Sequence, residues 1–344
     1  MGKWIKGDLH VHTHNCNDGT LSVDEILKRC RQYIDFIGIS GHAYDTPDCG
    51  EAQYAEVVKA REKYPDVPIF HTAEQNFPIE RHTMFVTTPD NNEFMLQRQL
   101  IRKFHRFNGH VGLEEACAEM EYVKENWGED KIFMIFNHPN DPDVSLEDFE
   151  GISKVNDVFK VIACVDRRER RAKQAWDIGE EWDQLLCKGY KLFARNGSDF
   201  HKHFDDGGED YLPGEFVQDY LYVEETTYDE IIKAYRTGNF YCTVGDCIHE
   251  PVFKCSQSQN KKGYYDVELS FTATVDMEQV DIISDGKCVC TLTDVPKDFK
   301  YKGTLQGKGY FRARGWGKPT NRKYSEGQYC PQFILNPIFI EEKQ

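Results

Sequence analysis

Two histidines close to the amino terminus have the spacing of a metal-binding pair. His10 and His12 lie in the segment Asp8-Leu9-His10-Val11-His12, which follows an apolar lead typical of a strand. Alternate side chains of a strand project from one face, so the two imidazoles can reach the same ion. A His-x-His pair also arises by chance among surface residues. The assignment therefore depends on the partners that other segments supply.

The candidate partners lie at the ends of predicted strands. Ser22 and Glu25 form a capping box that begins a helix after the first strand, and the apolar strand 36–40 then leads to His42. Parallel barrels carry their chemistry at the carboxyl ends of such strands. The pattern repeats along the chain, and the polar residues that it collects are His10, His12, Asp18, His42, Glu74, His82, His138, Asp199 and His201.

These six imidazoles and three carboxylates form a ligand set for borderline divalent ions. Zinc, manganese and iron accept such a mixture, whereas calcium prefers oxygen ligands. Nine ligands exceed the needs of one ion and suffice for two or three ions that share bridging groups. A single histidine is more often structural than ligating, but nine such residues at strand ends favour a metal centre.

The composition predicts a folded protein with an acidic surface. The 344 residues include 58 acidic and 42 basic side chains, which give a formal net charge of -16. This balance argues against a nucleic-acid polymer or an anionic membrane as the main partner. The sequence has no apolar run long enough to span a membrane and no signal peptide, so we expect a cytoplasmic protein whose scattered cysteines are reduced. The oligomeric state stays open.

The pattern of apolar residues changes at about residue 248. Strand and helix signals alternate over 1–248 and predict an α/β barrel. Over 249–344, helical spacing is absent, apolar and polar residues alternate between 267 and 271, and Asp285-Gly286 marks a hairpin. We therefore predict a small all-β, sandwich-like domain packed against the barrel.

The motifs of the first part resemble those of the PHP family, named for its polymerase and histidinol phosphatase members. The resemblance covers about residues 7–247 and implies a distorted (β/α)7 TIM-like barrel with a metal cluster at its mouth. Two positions depart from the family pattern: Asp18 follows His12 by six residues instead of five, and Gly41 stands where the family has an aspartate. The matching segments are Asp8-Leu9-His10-Val11-His12-Thr13, Asn17-Asp18-Gly19, Ser40-Gly41-His42, Glu74, His82, His138-Pro139 and Ser198-Asp199-Phe200-His201.

Further segments resemble the carbaryl-esterase-like branch of this family, in which a β domain follows the barrel. They are Glu74-Gln75-Asn76, Arg81-His82, 196–201 and Asn336-Pro337-Ile338. This resemblance makes ester hydrolysis a competitor to phosphoester hydrolysis. The polymerase-associated members fit less well, because the sequence has no polymerase body and no basic surface for nucleic acid.

The sequence therefore predicts a metal-dependent phosphoesterase that acts on a small phosphorylated metabolite. In this hypothesis a hydroxide bridging two or three ions of manganese, iron or zinc attacks phosphorus. Asp199 binds metal and moves a proton, and the resemblance assigns the bridging carboxylate to Glu74. Cationic contacts to the phosphate are expected from side chains next to the ligands, namely Arg81, Arg195, Lys202 and His203.

Two alternative functions stay open. The same hydroxide could hydrolyse carboxylic or carbamate esters, or the chain could be a non-enzymatic binding protein that contains metal. The complete ligand set argues against the second. No catalytic role is expected for His71, His105, His110 and His249, the run Arg167–Arg171 is expected to be a solvated helix face, and His14 stays ambiguous.

Overall fold

The structure is a computed structural model. It describes residues 2–43, 50–76, 82–90, 92–104, 113–137, 150–151, 159–165, 179–203, 211–259, 261–319, 323–324, 327–328 and 330–340. The helices in this part of the chain are α1 Val23–Cys30, α2 Glu51–Lys63, α3 Glu93–Phe104, α4 Leu113–Trp127, α5 Gly179–Cys187 and α6 Tyr228–Thr237. None of them is long and apolar enough to cross a membrane.

The strands come in two blocks. The first block is β1 Lys3–Val11, β2 Phe36–Ile39, β3 Ile69–His71, β4 Gln75–Asn76, β5 His82–Thr87, β6 Ile132–Phe136, β7 Phe159–Val165, β8 Phe193–Asn196, β9 Val217–Val223 and β10 Phe240–Val244. The second is β11 Ile248–Gln257, β12 Tyr264–Ala273, β13 Met277–Ser284, β14 Lys287–Val295, β15 Asp298–Gln306, β16 Tyr310–Gly317, β17 Lys323–Tyr324, β18 Gly327–Gln328 and β19 Gln332–Phe339.

Local signals set the helix ends where the sequence predicted them. The Ser22 side chain accepts a hydrogen bond from the Glu25 amide, and the Glu25 carboxylate accepts from the Ser22 amide, which completes the capping box of α1. The Thr227 side chain caps α6 by accepting from the Glu230 amide, without the reciprocal bond, and Gly238 ends the helix with φ of 72°. A Cβ at Gly238 would lie 2.1 Å from the Phe193 ring, so this end requires glycine. The helical spacing over 91–128 belongs to α3 and α4, with 105–112 outside the described residues.

A nine-stranded sheet forms the centre of this mixed α/β fold. Its strand order is β14-β13-β16-β19-β10-β9-β1-β2-β3, so four strands of the second block continue directly into five strands of the first within one hydrogen-bonded layer. β1 pairs in parallel with β2 and antiparallel with β9. β10 pairs antiparallel with β19, close to the carboxyl terminus. The predicted domain boundary at 248 is therefore crossed by a continuous sheet.

A second sheet, β4-β5-β6-β7-β8, lies beside the first. β6, β7 and β8 run parallel, whereas β5 is antiparallel to β6. Phe36, Phe70, Met84, Phe133 and Phe193 come from strands of both sheets and pack, together with residues of α6, into one buried apolar cluster. The two sheets thus enclose a common core.

Within the described residues no continuous strand ladder joins these two sheets, which are linked by side-chain hydrogen bonds and by the isolated backbone bridge between Val11 and Phe200. Thr72 Oγ1, just after β3, donates to the Phe85 carbonyl of β5 at 2.8 Å. Between β8 of the second sheet and the strands β19 and β10 of the first, two asparagines form such bonds. Asn336 Oδ1 accepts from the Ala194 amide at 2.7 Å, and Asn196 Nδ2 donates to the Thr243 carbonyl at 3.1 Å. The expected closed barrel is not confirmed, because the two sheets share no strand ladder within the described residues.

A three-stranded sheet, β11-β12-β15, covers the part of the large sheet nearest the carboxyl terminus. Val267, Leu269 and Phe271 of β12 point into this layer, as their alternation predicted. Tyr220 and Tyr241, from strands of the first block, belong to the same buried cluster. An independent all-β domain is not confirmed, since one of its two layers is shared with amino-terminal strands.

Candidate metal centre

The directions of the strands place the candidate ligands together, at the edge where the parallel strands β1, β2 and β3 end. β1, β2 and β3 are parallel, so His10, His42 and Glu74 lie at or just beyond their carboxyl ends. Because β5 runs antiparallel to β6, its first residue, His82, reaches this edge from the opposite direction. Phe200, in the segment after β8, forms a parallel bridge with Val11 of β1. The strand ends therefore surround one site, as the sequence predicted.

Glu74 is the residue on which the histidines converge. Its side chain is almost completely buried. Oε1 lies 3.1 Å from Nε2 of His10 and 3.1 Å from Nδ1 of His82. Oε2 lies 3.3 Å from Nε2 of His12 and 3.3 Å from Nδ1 of His42. Two oxygens face four imidazoles, which is the arrangement expected of a carboxylate shared between ions.

Asp199 is the second carboxylate that contacts His10 and His12. Its Oδ1 lies 3.1 Å from Nε2 of His10 and 3.2 Å from Nε2 of His12. Its backbone has φ of 49°, in the left-handed region that aspartate tolerates better than most residues. The Asp199 carbonyl faces Nδ1 of His201 at 2.7 Å, so Nε2 of His201 is left to face Oδ2 of Asp18 at 3.1 Å.

The ligand atoms form three overlapping groups. Within each group the atoms lie within 4.8 Å of one another. His12 belongs to two groups, and so do His42 and Glu74, so neighbouring groups share ligands. The groups are His12, Asp18, His42 and His201; His10, His12, Glu74 and Asp199; and His42, Glu74 and His82.

The spacing fits divalent ions. Ligands about 2.1 Å from a zinc-sized ion lie roughly 3.0 to 3.4 Å apart at tetrahedral or octahedral angles. The contacts of Glu74 and Asp199 with the imidazoles fall in this range. Nε2 of His10 and Nε2 of His12 also face each other at 3.1 Å. Two ring nitrogens converge in this way when they point to the same ion.

The protein's own charges polarise the site. Burial lowers the pKa of His12, but hydrogen bonds with Asp199, Cys16 and Glu74 outweigh it, and the net pKa is raised. Burial raises the pKa of Glu74, whereas the charges of His82 and His10 lower it, with a large net decrease. The Glu74 carboxylate is therefore ionised, and the His12 ring binds a proton more tightly than a free imidazole does. A metal ion has to displace that proton from the ring.

Several supporting residues went unrecognised in the sequence. Asn137 Nδ2 donates to Oε1 of Glu74 at 2.9 Å and is itself fully buried. Asp8 accepts from the His10 amide at 2.9 Å and from the Ser198 amide at 3.1 Å, which fixes the ends of β1 and β8 together. Asp8 belongs to the first motif and Asn137 precedes the H-P motif, but neither position shows by itself which group it supports.

Eight of the nine predicted ligands lie in the cluster, while His138 lies outside the described residues. Of the expected phosphate contacts, Arg81 also lies outside them. Lys202 and His203 are partly buried beside His201, and Nε2 of His203 is 4.0 Å from Oε2 of Glu215. Their proposed contact with substrate stays a prediction.

Arg195 requires a correction. Its side chain is 0% exposed and lies below the cluster. Nε donates to Oδ2 of Asp219 at 2.8 Å, and Nη2 lies 3.4 Å from Oδ1 of Asp8. Tyr235 completes the network by donating its hydroxyl to Asp219 at 2.7 Å. Charged groups buried to this degree are held by partners, so Arg195 stabilises the interior and has no face to offer a substrate.

The remaining histidines lie apart from the cluster or outside the described residues. His71 is buried, with its ring edge-on to Tyr54, and His249 pairs with Asp246 at 2.9 Å. His14 contacts Oε1 of Glu56 at 2.6 Å and lies outside all three ligand groups. The other two histidines and the basic run fall outside the described residues; they are His105, His110 and Arg167–Arg171.

A solved protein from Bacteroides vulgatus has a similar fold. It is described as a two-domain protein containing a predicted PHP-like metal-dependent phosphoesterase. The two folds match with a TM-score of 0.53 and 14% sequence identity, over 98% of this chain and 96% of the other. At this identity the likeness concerns the fold. No protein-family model matches the sequence, and no curated protein matches it.

Proposed function

We propose that the protein is a metal-dependent phosphoesterase that hydrolyses a small phosphorylated metabolite. The observation that carries the proposal is the set of three overlapping ligand groups joined by His12, His42 and Glu74. Such sharing suits two or three ions of manganese, iron or zinc better than one. The fold likeness to a protein described as containing a PHP-like metal-dependent phosphoesterase supports the same activity.

The residues divide the chemistry between them. Divalent ions, when bound, supply Lewis acidity and lower the pKa of water to about 7. Glu74 would hold the ions, because its two oxygens face four imidazoles and it belongs to two ligand groups. Asp199 would hold metal beside His10 and His12, and we assign its carboxylate the role of accepting the proton of the attacking water. Burial of His10, His12 and Glu74 excludes bulk water and strengthens each of these contacts.

The proposal extends to the type of barrel, the branch of the family and the second domain. We infer that the two sheets are parts of a distorted (β/α)7 barrel of the PHP type, in the carbaryl-esterase-like branch. The bridges Val11–Phe200 and His42–Glu74 support this, because they link strand ends around the site. Residues 249–344 would then form the β domain of that branch. We also propose a cytoplasmic location and a small-molecule substrate, since the net charge of -16 argues against a nucleic-acid polymer or an anionic membrane as the main partner.

Hydrolysis of carboxylic or carbamate esters is the second candidate. One observation favours it: Arg195, expected to bind phosphate, is committed to Asp219 and Asp8 in the interior. A neutral ester needs fewer cationic contacts than a phosphate dianion does. The two activities would use the same ligands, and only the substrate separates them.

The test compares two chromogenic substrates at matched metal content. Protein purified without chelator and loaded with manganese is assayed on p-nitrophenyl phosphate and on p-nitrophenyl acetate. We expect the phosphate to be preferred, and His42→Ala to abolish turnover because His42 belongs to two ligand groups. His249→Ala, a histidine paired with Asp246 away from the cluster, is the matched control.

Three outcomes would count against the proposal. Preference for the acetate ester would transfer the assignment to the second candidate. Full activity of His42→Ala would remove the cluster from catalysis. One equivalent of metal or none per chain, measured by elemental analysis after reconstitution, would contradict the multinuclear centre.

A further inference from the structure

The loop after β1 returns a cysteine to the back of the metal centre. Sγ of Cys16 lies 3.7 Å from Nδ1 of His12. The backbone N–H of His42 donates to the same sulfur at 3.3 Å. Cys16 is 5% exposed, so water does not compete for these contacts. One sulfur therefore touches the ring of one candidate ligand and the backbone of another.

The geometry of His12 shows what this contact does. Its Nε2 faces Glu74 at 3.3 Å and Asp199 at 3.2 Å, so Nε2 is the nitrogen that points to an ion. An imidazole that binds metal through Nε2 carries its proton on Nδ1 and donates it outward to a fixed acceptor. Cys16 Sγ is the group that Nδ1 meets. Cys16 belongs to none of the ligand groups found among the described residues, so it lies behind the ligand.

The same sulfur accounts for the glycine at position 41. A Cβ at Gly41 would lie 2.7 Å from Cys16 Sγ and 2.2 Å from Oε1 of Gln53, both too close. Gln53 Oε1 accepts from the Gly41 amide at 2.9 Å, and its Nε2 donates to the Thr72 carbonyl at 3.1 Å. The space beside Gly41 is thus filled by two polar groups from other segments. An aspartate at this position would displace both groups and break their contacts.

We propose that Cys16 is a positioning residue of the metal centre, which fixes the tautomer and tilt of the His12 ring and ties the His42 segment to it. The proposal rests on the proposed function only in assuming that the cluster binds metal. Because His12 belongs to two ligand groups, a loosened ring weakens both of them. Loss of such supporting contacts commonly lowers metal affinity by about 10- to 100-fold.

Cobalt binding to the full chain tests this role without any activity assay. Co²⁺ affinity is measured by competition with a chelator of known strength for wild type, Cys16→Ala and Cys16→Ser. Cys30→Ala is the control, because Cys30 is equally buried in α1 and packs in an apolar cluster. We expect Cys16→Ala to lose about 10- to 100-fold in affinity. Cys16→Ser should recover part of this loss, because a hydroxyl oxygen also accepts from both N–H groups.

The visible spectrum of bound cobalt supplies a readout that a general loss of stability would not change. The ligand-field bands of Cys16→Ala should differ from those of wild type, and the bands of Cys30→Ala should not. A thiolate-to-cobalt charge-transfer band in wild type that disappears in Cys16→Ala would make Cys16 a ligand and overturn the proposal.

The remaining outcomes are equally decisive. Equal cobalt affinity in wild type and Cys16→Ala would overturn the positioning role while the metal centre and the proposed function stand. An equal loss in Cys30→Ala would assign the effect to the fold and overturn it as well. Failure of wild type to bind cobalt would overturn both proposals together.

Discussion

Acidification should destabilise the folded chain through one histidine that lies outside the metal centre. His71 is 1% exposed, and neither ring nitrogen has a hydrogen-bond partner among the described residues. Burial, with a smaller contribution from the charge of Arg61, lowers its pKa from 6.5 to about 3. Between these values the unfolded chain binds a proton that the folded chain does not. Stability therefore falls as the pH falls through this window.

The magnitude follows from the unfolded pKa alone, because the folded pKa lies far below the measured range. One pH unit below 6.5, proton uptake by the unfolded chain lowers the free energy of unfolding by about 1.4 kcal/mol. His71→Leu removes this term and has a similar volume. We expect the stability of wild type to fall between about pH 7.5 and about pH 5.5 by roughly 1.4 kcal/mol more than that of the variant.

Urea unfolding at the two pH values, at equal metal content, measures the difference. His249→Leu is a control of opposite sign. Asp246 raises the pKa of His249, so this residue stabilises the folded chain below its unfolded pKa, and the effect is lost as the pH rises. The His249→Leu variant should therefore lose more stability on acidification than wild type does. Equal pH dependence of wild type and His71→Leu would refute the reasoning.

Two further substitutions test contacts on either side of the fold. Asn137→Ala removes the hydrogen bond to Glu74 and should lower manganese affinity by about 10- to 100-fold, as measured by chelator competition. The control is Asn239→Ala, which removes an exposed hydrogen bond to the Tyr222 carbonyl and should leave manganese affinity unchanged. Asp183→Ala removes the carboxylate that accepts from Nε and Nη2 of buried Arg312 and should lower the free energy of unfolding in urea by about 3 to 5 kcal/mol. Asp276→Ala, which removes an exposed ion pair with Lys318, is the control and should lower the free energy of unfolding by less than about 1 kcal/mol. If a variant and its control had equal effects, the role given to Asn137 or to Asp183 would be contradicted.

Features with a local cause could be predicted from the sequence. The capping box of Ser22 and Glu25 and the Thr227 cap depend on residues three apart, and both occur in the structure. The Asp285-Gly286 hairpin follows from two positive φ angles, which these residue types accept. Most of the candidate ligands could be collected because they lie close in sequence to the end of a predicted strand, as His10, His12, His42 and Glu74 do.

Features that depend on distant pairing could not be predicted. A run of apolar residues does not show that β5 is antiparallel to β6, or that β19 pairs with β10. Arg195 looked like a substrate contact because its partner Asp219 lies 24 residues away and Asp8 lies 187 residues away. The role of Cys16 depends on a contact with His42, 26 residues further along the chain.

The position of β19 has a consequence for how the protein is made. β10 obtains its second neighbour only when residues 332–339 have been synthesised, because β19 lies between β10 and β16 in the sheet. Until then β10 (Phe240–Val244), whose residues are all buried in the folded protein, has one edge without a hydrogen-bonded neighbour. Residues 1–248 therefore cannot complete the nine-stranded sheet while they leave the ribosome ahead of the carboxyl-terminal strands. Such a nascent chain depends on late, long-range pairing and is a natural client for chaperones.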